Sequence, residues 1–290
     1  MLKPMNGSQV MVGFDGSQGS ERALCWAVRE AELRRMRLLI CHAWDWPYPV
    51  PPSGPVALDT ARKMAQHVLD RGVRIAREAS PRTMVRDRLV VGSAEAVLVN
   101  ESHRAALAVI GARGASGCSE QLVGSSAVQL PSYAHCPVIV VRRPTVAPGS
   151  PIVVGVDGSA ASEAAVGFGF EEAALRGRPL LAVYGCWEPE AISPTGTEEY
   201  VDQEELLRTA GCTLERTVAP WREKYPYVDA RTSLVPRPPR HALLEAVENA
   251  GLLVVGGRGL GGVEGLRLGS VSSAMLHCAP CSVAVVRPHG

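Results

Sequence analysis

Two glycine-rich segments carry the residue types and spacing best suited to chemistry. One reads Gly111-x2-Gly114-x9-Gly124-Ser125, the other Gly256-x2-Gly259-x9-Gly269-Ser270. Seven of the seventeen residues from Val254 to Ser270 are glycine. Glycine loses more backbone entropy on folding than any other residue, so a loop this rich in it implies that something approaches the backbone closely. Each segment leaves an apolar run and enters, through Gly-Ser, a stretch with helical spacing. A helix N-terminus offers unpaired N–H groups and partial positive charge. Glycines would admit an anion to those groups, and a serine hydroxyl would add a donor. The chemistry expected is phosphate binding.

Other phosphate motifs fit less well. No GxxxxGK[ST] occurs. Gly257-Arg-Gly-Leu-Gly-Gly262 matches GxGxxG, but that fingerprint belongs to the first strand–helix unit of a dinucleotide fold, and here it follows the fourth strand. Asp15-Gly-Ser17 and Asp157-Gly-Ser159 place one carboxylate at the end of a first strand in each half. Asp-Gly-Ser is also good turn chemistry, so these aspartates could serve as caps alone. Arg113 and Arg258, inside the glycine segments, read equally as phosphate contacts or as solvated surface. Cys278-Ala-Pro-Cys281 beside His277 lacks the second CxxC that would complete a zinc site, and its helix precedes the pair instead of following it. Two buried thiols are the simpler reading. His42, His103, His135, His241 and His277 show no metal spacing and read as structural.

The elements that must position these residues come as a repeat. Val10-Met-Val-Gly-Phe-Asp15-Gly-Ser17 returns 142 residues later as Ile152-Val-Val-Gly-Val-Asp157-Gly-Ser159, and the glycine segment returns after 145. Pro137-Val-Ile-Val-Val-Arg142 returns as Ser282-Val-Ala-Val-Val-Arg287. Two domains follow, residues 1–144 and 151–290, joined by the Pro/Gly segment Pro144–Ser150, with three residues gained in the second between its first strand and its glycine loop. Apolar β-branched runs alternate with helical patterns in both copies. The runs are continuous rather than alternating, as in strands buried on both faces. The fold class expected is α/β: two tandem doubly wound domains, each a five-stranded parallel sheet with helices on both faces. Ligands of such sheets bind at strand carboxyl ends where the strand order reverses. If the first and fourth strands are neighbours, the aspartate and the glycine loop share that crevice.

With 290 residues, 46% apolar, 20% charged and a net charge of +1, the chain has no bias toward nucleic acid or membrane. Its start has no basic segment followed by a long apolar one, and no apolar run is long enough to span a bilayer, so a cytoplasmic location is expected.

The doubled Gly-x2-Gly-x9-Gly-Ser, the Val-Gly-x-Asp-Gly-Ser first strand and the closing Val-x-Val-Val-Arg strand resemble a tandem universal stress protein over nearly the whole chain. In that family the glycine pattern marks ATP-binding members. The resemblance implies that glycine loop and serines hold the phosphates, that the aspartate lies by ribose and adenine, and that the end of strand two gives backbone to adenine. It implicates Asp15, Ala43, Gly111, Gly114, Gly124, Ser125 and Ser126 in copy one. In copy two it implicates Asp157, Gly185, Gly256, Gly259, Gly269, Ser270 and Ser272, the strand-two positions being loosest because the copies shift register. Copy one has Glu120 where copy two has Gly265, and Ala127 where copy two has Ser272, so the second site is expected to bind more tightly.

The expected cofactor is ATP with Mg²⁺, and the expected role is nucleotide-dependent conformation or partner binding in a stress response. Only one aspartate per copy stands near the loop, and with no positioned base or side-chain magnesium site, hydrolysis would be slow at most. A phosphotransfer enzyme and an interaction module without nucleotide are the alternatives. The apolar last strands, Pro137–Arg142 and Ser282–Arg287, are candidates for edge pairing, either between the copies or between chains of a homodimer. Trp44, Trp46 and Tyr48 with their prolines form a loop after strand two that would flank the nucleotide or a partner surface, or only cover the core edge.

Overall fold

The computed structural model describes residues 9–45, 55–114, 123–142, 147, 149–186, 203–259 and 267–288. The chain divides into two compact units, Met1–Pro144 and Thr145–Gly290. Unit 1 runs β1 (Gln9–Gly13), α1 (Gln18–Arg34), β2 (Arg37–Trp44), α2 (Pro55–Ala79), β3 (Val85–Val91), α3 (Ala94–Ser102), β4 (Leu107–Gly111), α4 (Ser125–Tyr133) and β5 (Val138–Val141). Unit 2 repeats the order: β6 (Ile152–Gly155), α5 (Ala160–Arg176), β7 (Leu180–Gly185), α6 (Gln203–Lys224), β8 (Ala230–Val235), α7 (Pro239–Ala246), β9 (Leu252–Gly256), α8 (Ser270–Cys278) and β10 (Ser282–Val286).

The strands of each unit are parallel. Unit 1 has the order β3-β2-β1-β4-β5 and unit 2 the order β8-β7-β6-β9-β10. First and fourth strands are therefore neighbours: Val10 pairs with Leu107, and Ile152 with Leu252. The order reverses between them, which opens the crevice at their carboxyl ends. Burial explains the apolar runs, since Val10, Met11, Val12, Leu107, Ala108 and Val109 have no exposure. β3 borders a single strand of its unit and carries the exposed charges Arg86, Asp87 and Arg88, which blunt it against further pairing.

The strand-two ends fall in one register. Ala43 pairs with Val90, and Gly185 with Val235. The separation between copies is 142 residues up to that point and 145 from β3 and β8 onward, so the extra residues lie between the end of β7 and β8.

Turn chemistry starts both first helices. Gly16 and Gly158 take φ of 78° and 82°, which a residue with a Cβ adopts only with strain. Ser17 and Ser159 then cap α1 and α5, accepting the N–H of Ser20 and Ser162 at 3.2 Å. Each of these helices also holds an ion pair with a fully buried carboxylate: Glu30 with Arg34 at 3.4 Å, and Glu172 with Arg176 at 2.8 Å.

Candidate functional site

Asp15 and Asp157 each make two contacts, one with each carboxylate oxygen. Oδ1 of each accepts the N–H two residues on, Ser17 at 3.0 Å and Ser159 at 2.9 Å, which is the turn cap anticipated from the motif. Oδ2 faces across the crevice. A Cβ placed on Gly114 would lie 2.7 Å from Oδ2 of Asp15, and one placed on Gly259 would meet Oδ2 of Asp157 still more closely. Strand one and the glycine loop thus converge in both units, and this second contact needs glycine on the loop side.

The other glycines divide by task. A Cβ on Gly111 would stand 2.6 Å from backbone atoms of Gly19, and one on Gly256 2.8 Å from those of Ala161. These two let the first helix start pack against the end of the fourth strand, so they shape the crevice floor. Gly124 and Gly269 precede α4 and α8 in extended backbone. Their N–H groups donate to the carbonyls of Ala112 and Gly257 at 2.9 and 2.8 Å, closing the glycine loop at its base. Arg113 and Arg258 are exposed at the mouth. Glu120 and Gly265 lie outside the described residues, as do Trp46, Tyr48 and their prolines.

The serines divide as well. Ser270 is exposed at the first position of α8, and among the described residues its hydroxyl has no partner. Ser272, expected as a phosphate donor, is buried, and its hydroxyl donates to Gly256 O at 2.5 Å. It ties α8 to the end of β9. Ala127, its counterpart, is buried in the same place and packs there. In unit 1 the hydroxyls of Ser125 and Ser126 both donate to Oε1 of Glu95, at 2.8 and 3.1 Å.

The crevice also holds residues that sequence reasoning missed. His42, whose spacing reads as structural, lies two residues before the end of β2 and beside Asp15. Its Nδ1 lies 2.8 Å from Phe14 O, and since a carbonyl only accepts, Nδ1 carries the proton. Burial lowers the His42 pKa, against smaller opposing effects of that bond and of Asp15. Tyr184 stands at the same point of unit 2, its pKa raised first by burial and then by Asp157. Their shared place at the end of strand two, next to the positions assigned to adenine, was the available signal. Glu95 had no such signal. In unit 2, a Cβ on Gly257 would lie 3.0 Å from Cγ of Arg287. Burial and the neighbouring Arg267 and Arg258 lower the pKa of Arg287, which marks a cluster of cations beside the loop.

Cys278 is exposed at the end of α8 and Cys281 is buried ahead of β10. Among the described residues no three His, Cys, Asp or Glu side chains converge as a metal site, and no helix is long and apolar enough to cross a membrane.

The model of the Universal stress protein family matches residues 8–142 and 150–287. Two universal stress proteins of Mycobacterium tuberculosis are each 33% identical to the chain, one over 99% of both sequences and the other over 96% of both. The crystal structure of a universal stress protein from Archaeoglobus fulgidus shares the fold with a TM-score of 0.71, covering 98% of this chain and 99% of that one at 17% identity.

Proposed function

The chain belongs to the universal stress protein family as two tandem copies, and from that premise we propose that it is a stress-response protein that binds ATP at the strand-order reversal and signals through nucleotide-dependent conformation or partner binding. The observation that carries this reading is the doubled contact of a strand-one aspartate with a loop glycine, Asp15 with Gly114 and Asp157 with Gly259. It leaves a carboxylate facing the first turn of the glycine loop across the crevice.

In unit 2 the phosphates would lie at the N-terminus of α8, where the Ser270 hydroxyl faces outward. Arg258, Arg267 and Arg287 would balance their charge. Asp157, Tyr184 and the backbone end of β7 at Gly185 would border ribose and base. The residues present fit a nucleotide better than a free metal ion. Mg²⁺ would enter on phosphate oxygens, with Asp157 as the carboxylate of this unit facing the loop. The ion would screen phosphate charge there. Calorimetry with ATP and Mg²⁺, and analysis of nucleotide released by denaturing the purified protein, test the reading. No binding heat and no released adenine nucleotide would remove it.

The apolar last strands β5 and β10 support a further part of the proposal, that they pair domains within a chain or between two chains. Light scattering of the purified protein distinguishes one chain from two.

A further inference from the structure

We propose that Glu95 excludes polyphosphate from unit 1, and that Arg240, at the same place in unit 2, admits it. The inference rests on the nucleotide reading above and adds which ligand class each unit takes.

Glu95 stands in the first turn of α3, and its Oε1 receives both hydroxyls at the start of α4, Ser125 at 2.8 Å and Ser126 at 3.1 Å. Those are the donors a phosphate oxygen would use. The Ser125 bond, followed by a bond from its own amide, holds the Glu95 carboxyl below the usual range, so it is an anion at neutral pH. An internal carboxylate thus already sits where the anionic part of a ligand would sit. A phosphate would have to displace it and then face a like charge at short range.

Unit 2 reverses that charge. A Cβ on Gly13 would lie 3.0 Å from Leu98, and one on Gly155 3.3 Å from Leu243, so α3 and α7 sit in equivalent register against their first strands. Three residues ahead of those leucines stand Glu95 and Arg240. α7 packs on α8 as α3 packs on α4. Arg240 is exposed, and the planar fork of a guanidinium matches phosphate oxygens. Unit 2 therefore takes a nucleoside polyphosphate, whereas unit 1 takes a nucleoside without a charged tail at α4.

The test is calorimetry on the full chain with Mg²⁺-ATP and with adenosine, for wild type, Glu95→Ala, Glu95→Arg and Arg240→Glu, each checked for an unchanged thermal midpoint. Wild type should bind one ATP per chain. Glu95→Arg should bind two, and the milder Glu95→Ala should also gain a second, weaker site. Arg240→Glu should weaken the wild-type ATP site at least tenfold while leaving adenosine within about twofold. Two equal ATP sites in wild type, or a single site in both Glu95 variants, would overturn this proposal and leave the nucleotide reading standing. Absence of ATP binding in all four proteins would overturn both.

Discussion

Asp157 Oδ2 occupies the space that a Cβ on Gly259 would need, while its Oδ1 holds the turn that starts α5. The carboxylate therefore cannot retreat from an added methyl without giving up the Ser159 N–H. Gly259→Ala should push the carboxylate off its position and weaken ATP at unit 2 at least tenfold. The site is exposed loop, so the loss of stability should stay near 1 kcal/mol or less. Calorimetry beside thermal unfolding checks both halves. Unchanged ATP affinity in a folded Gly259→Ala protein would show that the Asp157–Gly259 approach is not part of the binding surface.

The repeat made most of the fold legible. Continuous apolar runs marked the buried strands, and Asp-Gly-Ser marked the turn into α1 and α5. Placement within the crevice was legible only in part. The glycine segment located the loop, but it could not say that Gly111 and Gly256 serve backbone packing, because their neighbours Gly19 and Ala161 lie on another element. Ser270 and Ser272 looked alike as letters. They differ by helical phase, since the first position of α8 faces outward and the third faces β9. Ala127 in the first copy was a usable hint, because an apolar residue at that phase points to an inward position. Glu95 meets Ser125 thirty residues away in sequence through the packing of α3 on α4, which no motif spacing encodes.

That difference of phase separates two serine variants. Ser270→Ala removes an outward hydroxyl and should weaken ATP by roughly tenfold to a hundredfold, the value of a charge-assisted hydrogen bond, with little effect on adenosine. Ser272→Ala removes the buried donor to the Gly256 carbonyl and should cost about 1–2 kcal/mol of stability, with ATP affinity in the folded protein nearly unchanged. ATP and adenosine titrations beside urea unfolding read both. Equal loss of ATP and adenosine in Ser270→Ala would remove that serine from the phosphate ligands.

The buried ion pairs of the first helices predict a larger effect on stability. Glu172 has no exposure, and Arg176 lies 2.8 Å from it. Replacing the cation alone takes the opposite charge from a carboxylate held in the interior, and removing one partner of a buried pair typically costs about 3–5 kcal/mol. Arg176→Met should therefore lower the urea midpoint strongly, whereas the double change Glu172→Leu with Arg176→Met should recover much of the loss. A single variant as stable as wild type would mean that the pair contributes little to the fold.

His42 links the crevice to pH. Its folded pKa lies below the 6.5 of a free histidine because burial opposes the charged ring. The sign follows from linkage. Well above pH 6.5 the ring is neutral in both states and contributes no pH dependence. Below it, the unfolded chain takes up a proton that the folded chain resists, so stability falls as pH falls, until pH passes below the folded pKa. One such proton gives a slope of up to about 1.4 kcal/mol per pH unit. Tyr184 at the same point of unit 2 brings no titration in that range, its pKa being raised from 10. Urea unfolding of wild type and His42→Gln at about pH 7.5 and 5.5 reads the difference, and the variant should lose less stability on acidification. An equal loss in both proteins would mean that the ring protonates freely in the folded state, and that its place beside Asp15 and Phe14 O does not hold it neutral.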